Sequence, residues 1–290
     1  MLAGEKLMSI VSTKELLCSA RKQGKGVGSF SVYDIDALIG AIKAAEDLNT
    51  PIIIQLAEPR FKTAPLHYVG AAMLGAAKNA KVDIAVHLDH GITFATLREA
   101  LAMGFTSVMY DGSTLDFQEN VKNTKQMIEF ASPYKATTEA ELGRVGKGED
   151  GLVDYGVIYT EPQAAVKFVE ETNVDALAIA IGNKHGNYKG EPNLQFDILQ
   201  LIHSLLPEQF LVLHGGSGIS DSDFQKCIRL GITKINIATA TCNAITKAAK
   251  AYTSTANPLD FYHMHEKFSE AAYEIVKHHI RVFNMELIDD

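Results

Sequence analysis

The sequence predicts an α/β fold, a (β/α)8 TIM barrel with a C-terminal helical extension. Three observations carry that expectation. Short β-branched runs alternate along the chain with longer segments of helical period. Some runs are continuously apolar, Ile52-Ile53-Ile54 among them, as strands buried on both faces of a parallel sheet require. Eight such units in roughly 250 residues match the usual length of a barrel. A doubly wound open sheet is the competing arrangement.

Taken in order, the first strand spans 28–32 and leads into a helix over 34–47, opened by Asp34, with Ile35, Leu38, Ile39, Ile42 and Ala45 on one face. Runs at 51–57, 82–88 and 106–110 supply the second to fourth strands, and a helix capped by Asp116 follows over 116–130. The fifth strand, 135–141, enters a stretch holding Gly143, Gly146, Gly148, Gly151 and Gly156, which reads as a mobile loop over 142–160 rather than a packed element. The sixth and seventh strands, 175–181 and 210–213, precede a helix opening at Ser220-Asp-Ser-Asp223, and the eighth spans 233–237. Residues 258–283 carry helical period beyond the eighth unit and would pack on the barrel or on a second subunit. No Pro/Gly/Ser-rich linker divides residues 1–290, so one domain is expected, its barrel spanning about 28–252.

Composition narrows the function. The 290 residues are 47% hydrophobic, enough for a large core. Lys and Arg number 27 against 35 Asp and Glu, a net charge of −8, and no basic block occurs. Neither nucleic acid nor an anionic membrane surface is an expected partner. Cys18, Cys227 and Cys242 are scattered without a CxxC, which suits a reducing compartment. Charges at Glu5 and Lys6 interrupt any signal-peptide core, no run reaches membrane-span length, and the cytoplasm is the expected location.

In a barrel of this kind chemistry collects at the C-terminal ends of strands. There the sequence places His87-Leu-Asp89-His90-Gly91, Gly182-Asn-Lys-His185-Gly186, His214-Gly215-Gly216-Ser217-Gly218 and Asn236-Ile237-Ala238-Thr239. Three of the ten histidines are followed by glycine, and all three fall at strand ends. Imidazoles from separate strands meeting at one rim form a metal site with an open position for substrate, zinc fitting best by ligand type and iron, cobalt or manganese also suited. His87, inside its strand, reads instead as a structural or ligand-orienting residue. Asp89 could act as general acid/base or orient a histidine. Glu141 could be a ligand, a proton carrier or a structural charge, and Glu149 and Asp150 lie where a loop acid could swing into a closed site. The Gly215–Gly218 turn and the Asn236–Thr239 segment are the seventh and eighth loops, where barrels commonly hold phosphate on backbone N–H groups and a helix N-terminus.

Six motifs in order, HLDHG at 87–91, SVMYDGS at 107–113, EAELGRVGKGEDG at 139–151, AIGNKHGNYKGEPNL at 180–194, LVLHGGSG at 211–218 and KINIAT at 234–239, resemble those of the class II, zinc-dependent fructose- and tagatose-bisphosphate aldolases. That resemblance implies zinc on His90, His185 and His214, a sodium or potassium ion near the phosphate, and a homodimer or homotetramer. It implies Asp89 as catalytic proton carrier, and dihydroxyacetone phosphate held by Gly186, Gly215, Gly216, Ser217, Asn236, Ile237, Ala238 and Thr239. Lys189 would lie near that phosphate, Glu149 would exchange a proton next to the ketone, and Glu141 would stand near the zinc. The implied substrate is a ketose 1,6-bisphosphate, cleaved to dihydroxyacetone phosphate and glyceraldehyde 3-phosphate. Ala57, the GNKHG segment and Ala240 depart from common family patterns, and they touch the half that would bind the aldehyde. Alternatives are an aldolase for 6-phospho-5-dehydro-2-deoxygluconate, a metal-dependent sugar-phosphate epimerase, and a non-catalytic partner subunit. Arg60, Arg144 and Arg281 are candidates for a second phosphate.

Overall fold

Parity along the strands decides where each side chain goes, and it divides the barrel into an apolar shell, an apolar floor and a polar upper chamber. The computed structural model describes residues 10–146, 156–188, 190–255 and 260–286. Among the described residues, eight parallel strands close in sequence order: β1 (Val27–Ser31), β2 (Ile52–Ala57), β3 (Ile84–Gly91), β4 (Ser107–Tyr110), β5 (Thr137–Leu142), β6 (Ala176–Ile179), β7 (Phe210–Leu213) and β8 (Ile232–Ile237), with β8 pairing back to β1. Helix α1 (Thr13–Lys22) precedes the barrel. Helices α2 (Ile35–Asp47), α3 (Ala71–Asn79), α4 (Phe94–Met103), α5 (Phe117–Ala131), α6 (Pro162–Thr172), α7 (Phe196–Leu205), α8 (Asp221–Arg229) and α9 (Thr239–Thr255) follow the strands in turn, and α10 (Phe261–Phe283) is the extension. All eight expected strands are present, β7 with the expected bounds and the others with at least one end shifted by up to three residues; β3 in particular runs on to Gly91.

On β2, Ile52, Ile54 and Leu56 join the core between strands and helices, while Ile53 joins an inner cluster with Val27, Ala85, Ala176, Ala178, Phe210 and Val212. Helix α1 floors that cluster with Leu16, Leu17 and Ala20. Its start is fixed by a reciprocal cap: Glu15 N donates to Ser12 Oγ, and Ser12 N donates to the Glu15 carboxylate at 2.9 Å. Above the floor, the inward positions turn polar. Asp34 and Asp116 cap α2 and α5 as their sequence positions suggest.

The apolar face expected on α2 is corrected by the packing. Ile35 and Ile39 are about half exposed, at 52% and 51%, and the buried face is built from Ala37, Leu38, Ala41, Ala44 and Ala45. Helix α2 packs closely against α10, which itself reaches β1, and that close approach selects small residues. At Gly40 a Cβ would sit 2.6 Å from Ser269 O and 2.7 Å from Tyr273 N, so the two helix backbones nearly touch. The segment expected as a mobile loop after β5 is pinned at both described ends: Arg144 and Ile158 exchange backbone hydrogen bonds of 2.8 and 3.0 Å, and Gly146 bridges to Lys184. Among the described residues no helix is long and apolar enough to cross a membrane.

The Gly40 contact predicts a paired result. Gly40→Val should destabilise by about 1–3 kcal/mol through overpacking. Gly75→Ala, at an exposed position of α3 with open space around it, should stabilise by about 0.5–1 kcal/mol. Urea unfolding midpoints of the two variants check both signs.

Candidate active site

Two consecutive residues of β3 face the same site, which a regular strand forbids. His87 and Asp89 point into the barrel and Leu88 into the outer core, so His90 should also point outward. Instead His90 takes a left-handed φ of 44°, and the register against β4 shifts between Leu88 and Gly91. This bulge turns the imidazole to the rim. His90 Nε2 lies 3.0 Å from His214 Nδ1, the His185 ring centroid is 5.0 Å from that of His90, and one nitrogen of each ring falls within 4.8 Å of the others.

The other nitrogen of two rings is held by a carboxylate. His90 Nδ1 donates to Asp111 Oδ2 at 2.7 Å, and His214 Nε2 donates to Glu139 Oε1 at 2.8 Å. With the protons fixed there, the nitrogens aimed at each other carry lone pairs. Two lone pairs at 3.0 Å repel, whereas a cation bound between them makes both ligands. The donor set of His90, His185 and His214 therefore fits a divalent metal such as zinc. Burial pushes the His214 imidazole well below its ordinary pKa, with help from His90, and so keeps it in the neutral, ligating form.

The remaining acids divide by environment. Burial opposes ionisation of Asp111, but the hydrogen bonds from His90 and Ser113 outweigh it and hold the carboxyl far down. Glu141 is pushed up to about 8, first by burial and then by the Asp111 charge; Val145 N donates to its Oε1 at 3.1 Å. Asp89 is buried and fully engaged: Gln55 Nε2 donates to Oδ2 at 2.9 Å and Asn236 Nδ2 to Oδ1 at 3.1 Å. Gln55 is itself set by Ser29 and Ser31. His87 is buried, with Nδ1 bonded to Ser107 Oγ at 2.7 Å, and burial followed by the Lys234 charge keeps it neutral. A second metal among His87, Asp89 and Glu139 is opposed by the Lys234 ammonium, 2.9 Å from Glu139 Oε2.

The loops after β6 and β7 are tied together. Asn183 Nδ2 donates to His214 O at 3.0 Å, and His185 N donates to Gly146 O at 2.9 Å. The Tyr188 hydroxyl accepts from Lys184 N and donates to Gly215 O, at 2.8 and 3.0 Å. Gly215 has a φ of 62° and would drive a Cβ to 2.3 Å from Lys184 O, so these two loops meet only with glycine there.

Of the sequence-derived residues, Gly186, Gly215, Ser217, Asn236, Ala238 and Thr239 line one depression with Gln55, Asp89 and His185. It opens on the N-terminus of α9, and Ala240 N donates to Ser217 Oγ at 2.9 Å. Gly216 packs behind it against Asn236 O, and the Ile237 side chain lies in the outer core, so Ile237 reaches the depression only through its backbone. Arg281 is not a rim residue: it lies two positions before Phe283, whose carbonyl accepts from Gly26 N at the opposite end of β1. The Arg60 guanidinium packs over Tyr33, and Arg144 lies beside Ser113. Glu149, Asp150 and Lys189 lie outside the described residues. Sequence reasoning missed Gln55, Asp111, Glu139, Lys234 and Tyr188. Two of these had a signal, since Glu139 and Lys234 stand two residues before Glu141 and Asn236 and share their inward face.

Comparison with known proteins bears on this geometry. Residues 11–286 match the family model described as fructose-bisphosphate aldolase class-II. A fructose-bisphosphate aldolase of Staphylococcus aureus (strain Mu50) is 39% identical over 246 residues, covering 84% of this chain and 86% of that one. A sulfofructosephosphate aldolase of Alkalicoccus urumqiensis is 37% identical over 283 residues, 96% and 98% of the two chains. Among solved structures, the YdjI aldolase of Escherichia coli K12 superposes with a TM-score of 0.84 at 32% identity, covering 94% and 97%.

The pair beneath His214 yields a stability test. Glu139→Gln leaves Lys234 buried without its counter-charge and should cost about 3–5 kcal/mol. A Lys234→Met/Glu139→Gln double variant should recover part of that loss, and a double-mutant cycle by urea unfolding measures the recovery.

Proposed function

The chain belongs to the class II fructose-bisphosphate aldolase family, and from that premise we propose that it reversibly cleaves a ketose 1,6-bisphosphate of the fructose or tagatose type to dihydroxyacetone phosphate and an aldehyde such as glyceraldehyde 3-phosphate. Membership makes it an aldolase, a lyase acting on a carbon–carbon bond. The observation that carries the finer reading is a buried carboxylate, Asp89, adjacent in the chain to one of three converging imidazoles.

A zinc ion held by His90, His185 and His214 would supply Lewis-acid polarisation of the substrate carbonyl. Asp89 takes the proton of the C4 hydroxyl, and Gln55 and Asn236 fix which carboxylate oxygen faces it. The C3–C4 bond then breaks, its electron pair moving toward the C2 carbonyl, and the aldehyde departs. Proton return at C3 completes dihydroxyacetone phosphate. Its phosphate is bound by the Gly215–Ser217 turn, the backbone of Asn236–Thr239 and the N-terminus of α9, where fixed N–H groups favour an anion. No lysine nucleophile is required, because Lys234, buried within the barrel, is engaged with Glu139.

The 37% identical sulfofructosephosphate aldolase supports a second reading, a ketose 1-phosphate whose far end carries sulfonate in place of phosphate. Cleavage rates for fructose 1,6-bisphosphate, tagatose 1,6-bisphosphate and the sulfonated analogue, with dihydroxyacetone phosphate measured by a coupled assay, rank the three.

Asp89→Ala should retain metal and lose roughly 10²–10⁴-fold in kcat. His214→Ala should lose the metal as well, as measured by metal analysis of the purified protein beside the coupled assay. Full activity in chelator-stripped protein would remove the metal from the mechanism.

A further inference from the structure

The left-handed bulge at His90 is an imposed conformation, and something must hold it. A histidine at a φ of 44° would relax toward extended backbone, restore strand alternation and carry its imidazole away from the rim. The Asp111 hydrogen bond fixes the ring's rotation but does not constrain the peptide. Downstream of the bulge, one side chain gathers the backbone. Glu58, in the turn after β2, accepts from Ile92 N at 2.6 Å and Thr93 N at 3.1 Å on Oε2. Its Oε1 accepts from Thr93 Oγ1 at 3.0 Å and Thr96 Oγ1 at 2.8 Å. One carboxylate thus takes four hydrogen bonds from the two-residue exit of β3 and the first turn of α4, an end where negative charge is also favoured. The N-cap of α4, Thr93, accepts from Thr96 N, and the N–H groups of Ile92 and Thr93 are left to Glu58. On the other side Asp111 N donates to Gly91 O at 2.9 Å, and a Cβ at Gly91 would lie 2.5 Å from Met109 O, so the bulge is seated tightly on β4.

We propose that Glu58 is a positioning residue for His90: it clamps the turn after β3 and thereby keeps the bulge that aims this imidazole into the site. The inference rests on His90, His185 and His214 being the metal ligands, and it extends that reading to a residue from a different strand that touches neither metal nor substrate. Because the clamp acts on the backbone, its loss changes ligand geometry more than global stability.

Cobalt(II) reports on this directly, since its visible absorption follows coordination geometry. Metal-free wild type, Glu58→Ala, Glu58→Gln and His214→Ala are titrated with cobalt(II) in competition with a chelator, and thermal unfolding of the metal-free proteins is measured in parallel. Glu58→Ala should bind cobalt about 10–100-fold more weakly and show altered absorption bands, the range found when residues supporting metal ligands are removed. Glu58→Gln, which keeps one acceptor oxygen, should fall between. A lower unfolding midpoint with wild-type cobalt affinity and spectrum would overturn the inference and leave Glu58 a structural residue only. If Glu58→Ala does not fold, Glu58→Gln decides by the same two readouts. Weak cobalt binding by wild type, or equal binding by His214→Ala, would overturn the ligand assignment and the inference with it.

Discussion

Lys234 and Glu139 meet inside the barrel with no access to water, and the polar chamber above them depends on that pairing. An uncompensated charge at this depth would be expelled or neutralised. Set against each other, the two groups compensate, and Glu139 Oε1 accepts from His214 Nε2 at 2.8 Å. The nitrogen that faces His90 is thereby left as a lone-pair donor. The floor beneath is largely apolar, with α1 pressed against Ala85, Ala176, Ala178 and Val212. Stability and site chemistry are coupled through one strand-borne carboxylate.

Each of the three imidazoles is held by a different device, and together these explain why the site is rigid while drawing on three chain segments. His214 follows β7 directly and is oriented by Glu139. His90 is turned inward by a left-handed bulge. His185 lies in irregular backbone, fixed by its own N–H to Gly146 and by the Asn183 and Tyr188 ties to the β7 loop. Burial holds the Tyr188 hydroxyl up to about 12, so it stays protonated and keeps donating to Gly215. The turn expected to hold phosphate and the loop expected to hold metal are therefore tied directly to each other.

Much of this was legible in the sequence because parallel barrel strands are buried on both faces and announce themselves as β-branched runs. The rim histidines and Asp89 were legible because polar residues at strand ends stand out against those runs. What was not legible required knowing what packs against what. Ile35 and Ile39 fit an apolar stripe by period, yet the close contact with α10 at Gly40 and the alanine-rich buried face leave these two half exposed. Arg281 looked available for a second phosphate until α10 brought it to the wrong end of the barrel. Asp111 and Glu58 carry no periodic signal, since their importance lies in which backbone or ring atom the fold brings beside them.

The charge of −8 over the chain says little about an anionic substrate, because the field at the rim is set locally. Among the described residues, Asp89, Asp111, Glu139 and Glu141 crowd into the upper chamber against one lysine. Glu141 feels the crowding and its desolvation as a pKa raised to about 8. Such a chamber attracts a dication and repels a phosphate. Beside it lies the depression lined by a glycine turn, the end of β8 and the first turn of α9, elements that contribute no carboxylate to it. The acidic chamber and this depression share Asp89, His185 and Asn236 at their boundary, so under the proposed function an anion in the depression would set the rest of the substrate toward the three imidazoles. Under that reading the orientation of the substrate would follow from this separation of fields and would require no positive net charge.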